Sequence, residues 1–190
     1  KSAYPQYAFR AGVGKGADWH PDLTLCLAPF TDTGIEGRSQ TMASQTYVDG
    51  GWVAGNVALI GADSHAIWLG SIAFDGARAF EGVTPDLDRH CQRAFESTKV
   101  MNMEPMLSAG EIEEIALDGV KRFAPDSALY IRPMFWADAA LDVLVPDPES
   151  TRFALTIFEA AMPTGAGFSC CLSSFRRPGP EMAPTGAKAS

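Results

Sequence analysis

Two stretches with helical spacing lie between groups of residues that alternate with a period of two, and this order restricts the chain to few architectures. In the first stretch Leu87, Cys91, Ala94, Phe95, Thr98 and Met101 recur at helical intervals. Thr84-Pro85 supplies an N-cap followed by a first-turn proline, and Asp86 and Asp88 suit the positive end of the helix. The second helix starts at Ser108, with Glu111 three residues on to complete a capping box. Its apolar stripe is Ile112, Ile115, Ala116, Gly119 and Phe123. Strand-like runs cover 72–80 (IAFDGARAF), 128–136 (ALYIRPMFW), 152–160 (RFALTIFEA) and 168–176 (FSCCLSSFR). SQTYVDGGWVAG adds a hairpin turning at Asp49-Gly50-Gly51, and DPESTR at 147–152 is a tight polar connection. The expected fold class is α+β: a two-layer sandwich of a mainly antiparallel sheet with two helices.

A chain of 190 residues, 46% hydrophobic and 20% charged, can bury one sizeable core. The net charge of -8 argues against a nucleic-acid partner held by a basic surface. No apolar stretch reaches membrane-spanning length and no signal-peptide layout opens the chain, so no membrane partner is expected. Cys26, Cys91, Cys170 and Cys171 form no CxxC pair, which suits neither zinc nor a disulfide framework; no metal site is expected, and a reducing cytoplasm fits best.

Residues 1–41 differ from the remainder, with no sustained period and scattered Gly and Pro. They hold four basic and four acidic residues, so the whole net charge belongs to residues 42–190. The expectation is that the natural protein begins at Met42 and that 1–41 is upstream translation or an added leader. GVGKG at 12–16 lacks the spacing and the hydroxyl residue of a phosphate loop.

Alternation sorts side chains onto faces. Tyr130, Arg132, Met134 and Trp136 share one face of their run, and Leu129, Ile131 and Phe135 the other; Phe74, Gly76, Arg78 and Phe80 share a face of theirs. An arginine between strand aromatics either stacks on them and reaches solvent, or lines a recess that takes a carboxylate or phosphate. Six of the basic residues after Met42 (Arg78, Arg93, Arg132, Arg176, Arg177 and Lys188) stand in such company, a bias that favours an anion site in an acidic protein. Helical spacing alone, however, puts Arg93 on a solvated face opposite Cys91 and Phe95. Lys188, in PTGAKAS, is flanked by small residues. It is either a solvated tail lysine or an amine meant for burial beside a carbonyl cofactor, where desolvation would favour the free, nucleophilic form.

Four segments occur in order: SHAIWLGSIAFDGARAF at 64–80, DRHCQR at 88–93, ALYIRP at 128–133 and SSFRRPGPEMAPTGAK at 173–188. Through them the chain from about Tyr47 to Ser190 resembles the N-terminal portion of the class IV (fold-type IV) aminotransferases that use pyridoxal 5'-phosphate, and the branched-chain amino acid aminotransferases above all. The resemblance implies that Lys188 is the catalytic residue, forming the Schiff base with the cofactor aldehyde, and that Arg93 binds the cofactor phosphate. It implies that Phe74, Tyr130 and Arg132 line the substrate pocket, with Arg132 meeting a carboxylate. It implies transamination between a branched-chain amino acid and a 2-oxo acid (2-oxoglutarate), by a cytoplasmic homodimer. Residues 42–190 are then the N-terminal lobe ending at the Schiff-base lysine, with the second domain absent and the fragment alone inactive.

D-amino acid and amine transaminases and aminodeoxychorismate lyases share this fold and lysine. A lobe with only a structural or dimer-contact role is the alternative of another class. The chain departs from the branched-chain pattern in three places: the segment from Phe80 to His90 is short, Trp68-Leu69 stands where a tyrosine is usual, and Asp75 replaces a glutamate. These differences bear on substrate choice.

Overall fold

Asp49 and Gly50 turn the chain with positive φ at both positions (49° and 82°), the backbone that a two-residue hairpin turn of primed type requires. The turn joins β1 (Ser44–Val48) to β2 (Gly51–Ala54) in antiparallel register, Val48 opposite Gly51. The computed structural model describes residues 43–189 apart from 164, 166, 168, 169, 171 and 173. The expectation for residues 1–41 lies outside these residues.

The other main strands are β3 (Ile72–Phe74), β4 (Ala77–Ala79), β5 (Leu129–Ala137) and β8 (Thr151–Glu159). They form an antiparallel sheet in the order β2-β1-β8-β5-β3, with β4 also on β5. The run expected as one strand over 72–80 is interrupted at Asp75-Gly76, although its register with β5 continues across the gap from Phe74↔Met134 to Ala77↔Ile131. Pro133 has no N–H to give there, although its carbonyl still accepts from Asp75 N–H at 3.1 Å, and Gly76 N–H donates to the Asp75 carboxylate at 2.6 Å.

Two helices, α2 (Leu87–Val100) and α3 (Ala109–Val120), cover one face of the sheet, so the two-layer α+β architecture is the one observed. Leu129, Ile131 and Phe135 of β5 and Phe153, Leu155 and Ile157 of β8 meet Leu87, Cys91, Ala94, Ile112 and Ala116 in the core. Gly119 lets α3 come down on the sheet, since a Cβ there would lie 2.2 Å from the Trp52 ring and 2.6 Å from Ile157. The capping box forms as expected, the Ser108 hydroxyl accepting from the Glu111 N–H while the Glu111 carboxylate accepts from the Ser108 N–H.

The cap of α2 differs from expectation. Asp86, at φ 50°, is the N-cap instead of Thr84, and its side chain makes no capping bond. Thr84 and Pro85 form the preceding turn, in which the Thr84 carbonyl accepts from Leu87 N–H, so the chain must swing through a left-handed residue to enter the helix.

Three shorter elements carry too little periodicity to be read locally: α1 (His65–Leu69) and the hairpin of β6 (Ala140–Asp142) and β7 (Val145–Pro146). The polar connection contains a 3-10 turn, Pro148–Ser150, capped by Asp147. Of the strand expected over 168–176, four positions lie outside the described residues. The described ones are in no strand and are exposed, Leu172 and Phe175 among them. No helix among the described residues is long and apolar enough to cross a membrane.

Candidate active site

The alternation that buries Ala73, Ala77 and Ala79 against the helices also buries Asp75, whose side chain is 0% exposed. A carboxylate in that position needs donors, because an unpaired buried charge is strongly unfavourable. Arg93 supplies a two-pronged contact, Nε to Oδ2 at 2.5 Å and Nη2 to Oδ1 at 2.8 Å. His90 approaches Oδ1 through Nδ1 at 2.8 Å, a contact that places the proton on Nδ1 because an ionised carboxylate can only accept. Gly76 N–H donates to the same oxygen, and Lys188 Nζ lies 3.4 Å from it. Burial pushes the Asp75 pKa up, but the Arg93, His90 and Gly76 hydrogen bonds and the Lys188 charge outweigh it and bring the value down to about 2. The same pairing raises the Arg93 pKa further.

Lys188 reaches this cluster through its backbone. Its carbonyl accepts from Phe74 N–H at 3.0 Å, its N–H donates to Ser97 Oγ of α2 at 2.9 Å, and Ala189 bridges Ala73 at the edge of β3. The ammonium lies 5.5 Å from the centre of the Phe74 ring. The side chain remains 37% exposed, so the amine lies at the rim of the site and not deep within it.

Phe74 connects this cluster to the outer sheet face. With Ile60, Ile72, Arg132, Met134 and Trp136 it lines a cavity of about 180 Å³. Arg132 is in no ion pair among the described residues, its Nε is buried without a hydrogen-bond partner, and its guanidinium stands 5.7 Å from the Phe158 ring centre. Tyr130 shares that face but does not line the cavity. It packs on Phe158 at 5.3 Å and over Gly76, where a Cβ would fall 1.9 Å from the Tyr130 hydroxyl oxygen.

The structure therefore brings Lys188, Arg93 and Phe74 together, sets Arg132 beyond Phe74, and holds Tyr130 to one side. Arg93 is half exposed on the polar side of α2, as its spacing indicates, yet its side chain folds back to the sheet. Sequence reasoning missed Asp75 as the centre of the cluster, and His90 and Ser97 as members. Two signals were present: an acid in register with three buried alanines, and the three-residue spacing of His90 and Arg93, which puts both on one helix face.

These residues lie in a segment with known relatives. The family model for amino-transferase class IV matches residues 72–190. A crystal structure of an aminotransferase from Brucella abortus bound to the cofactor PLP superposes with a TM-score of 0.76 at 50% identity, covering 78% of this chain and 53% of that one. The branched-chain amino acid aminotransferase of Escherichia coli superposes at 0.68 with 26% identity, covering 77% of this chain and 51% of that one. A probable branched-chain-amino-acid aminotransferase of Rickettsia bellii is 26% identical over 153 residues, which is 76% of this chain and 50% of that protein. The chain spans about half the length of the relatives it matches. With the family model covering more than half of its residues, the chain belongs to the class IV aminotransferases.

Proposed function

We propose that this chain holds pyridoxal 5'-phosphate through Lys188 and Arg93 and serves transamination of a branched-chain amino acid, with 2-oxoglutarate as the amino acceptor. The observation that carries the reading is the convergence of Lys188 Nζ and the Arg93 guanidinium on one buried carboxylate beside Phe74. The donor set suits a phosphorylated aldehyde: an amine at the rim, and a guanidinium whose exposed side is open to a phosphate. The Brucella abortus relative binds PLP.

The cofactor, when bound, supplies the electron sink for cleavage at the substrate α-carbon. The chain supplies the rest. Lys188 Nζ is the nucleophile towards the aldehyde and, once free, the base that carries a proton to and from the α-carbon. Arg93 meets the phosphate with charge-assisted hydrogen bonds. Arg132 takes the substrate carboxylate, which would give its buried, unpartnered Nε a reason to be there. Phe74, Ile72, Met134 and Trp136 give an apolar wall suited to an aliphatic side chain, with Tyr130 at its margin. The reading extends to a homodimer, supported by the exposed apolar side chains of Ile67, Trp68, Leu141, Val143 and Leu144.

Borohydride reduction of the full-length protein with pyridoxal phosphate, followed by peptide mapping, tests the site. The label is expected on Lys188; a label on Lys99 or Lys121, or on no lysine, overturns it. A transaminase with a different amino donor is the second reading, favoured by the 50% identity to the Brucella abortus protein, which is named as an aminotransferase without a substrate. Turnover of D-amino acids or amines in preference to valine, leucine and isoleucine would select it.

A further inference from the structure

Five donor atoms from four residues converge on the Asp75 carboxylate. Its neighbours on the same face, Ala73, Ala77 and Ala79, fill the space under α2 without any charge. Arg93 is the partner whose geometry Asp75 controls most tightly. The contact uses Nε and Nη2, which fixes the plane of the guanidinium and leaves Nη1 uncommitted among the described residues. Lys188 is the partner held least tightly, at 3.4 Å against 2.5 to 2.8 Å for the others. When its amine moves away, both carboxylate oxygens still have donors.

We propose that Asp75 is a positioning residue for phosphate binding: it orients Arg93 so that the free side of the guanidinium meets the cofactor phosphate, and it gives the Lys188 amine a partner that it can leave without orphaning the carboxylate. This rests on the cofactor reading above. A carboxylate that only stabilised the fold would affect every ligand of the site alike; one that orients Arg93 affects only ligands that carry a phosphate.

The test compares pyridoxal phosphate with pyridoxal, which lacks the phosphate, by equilibrium titration of the full-length protein and its Asp75→Asn, Arg93→Ala and doubly substituted forms. The preference for pyridoxal phosphate over pyridoxal is expected to fall about tenfold in Asp75→Asn, with no further fall when Asp75→Asn is added to Arg93→Ala. Proportional loss of both affinities in Asp75→Asn, or losses that multiply in the double variant, overturns the proposal. Should Asp75→Asn not fold, Arg93→Lys on the exposed side of α2 keeps the charge and loses the fork. The preference is then expected to fall as well, and an undiminished preference overturns the proposal. A parent protein in which Lys188 takes up no cofactor overturns the cofactor reading and this inference together. Labelling of Lys188 with an unchanged preference in Asp75→Asn overturns the inference alone.

Discussion

Lys188 Nζ and the Asp75 carboxylate stand 3.4 Å apart across 113 residues of chain. The contact depends on backbone pairing more than on either side chain. Phe74 N–H donates to the Lys188 carbonyl, and Asp75 is the next residue, so the strand that anchors the lysine also presents its partner. Ser97 holds the Lys188 N–H from the helix side. The candidate site is thus assembled at one sheet edge by three segments, each giving a backbone or side-chain anchor.

Asp75 makes stability depend on acid in a defined window. Its folded-state pKa, about 2, lies below the ordinary 3.8, so the folded state favours the ionised form. The contribution is present in full above about pH 4 and is lost as pH falls through about 2; for a shift of this size it is on the order of 2 kcal/mol. Urea unfolding at a series of pH values should show a loss between pH 4 and 2 that is absent in Asp75→Asn.

Gly76→Ala would force the Tyr130 ring out of place, since the new methyl would fall 1.9 Å from its hydroxyl oxygen and 2.5 Å from Cζ. The ring must leave its contact with Phe158, at a cost of about 1–3 kcal/mol. A lowered urea midpoint with an unchanged m-value is the expected result; an unchanged midpoint would show that Tyr130 relocates freely.

Arg93→Ala removes a charge-assisted partner of the proposed phosphate and leaves Asp75 with fewer donors. Cofactor affinity should fall about 10- to 100-fold, while the ranking of amino-acid substrates stays the same. Spectrophotometric cofactor titration beside a substrate panel separates the two effects. Unchanged affinity would leave Arg93 as a structural partner of Asp75 only.

Cys91 should resist thiol reagents in the native protein. Burial pushes its pKa up to about 12, with the charges of Glu113, Asp75 and Asp88 adding to the effect, so almost no thiolate exists near neutral pH. Cys170 is exposed. Labelling at pH 8 with peptide mapping should find Cys170 modified and Cys91 modified only after denaturant is added.

Local rules determined much of this protein. Alternation in 128–136 placed Leu129 and Ile131 inward and Tyr130 and Arg132 outward, because successive strand side chains must point to opposite faces. Ser108 and Glu111 declared the start of α3, because unpaired N–H groups at a helix start need nearby acceptors. The four ordered segments carry the family resemblance and, through it, mark Lys188, Arg93, Phe74, Tyr130 and Arg132 as candidate site residues.

The tertiary structure alone decided how those residues meet. Helical spacing put Arg93 in solvent, and only the packing of α2 beside β3 shows its side chain turning back to a carboxylate. Asp75 read as one strand residue among others, because its charge acquires a purpose only when a helix and a distant C-terminal segment deliver donors to it. Capping and alternation act over a few residues and leave a local pattern. Convergence on Asp75 depends on contacts across 15, 18 and 113 residues, and no local pattern records them.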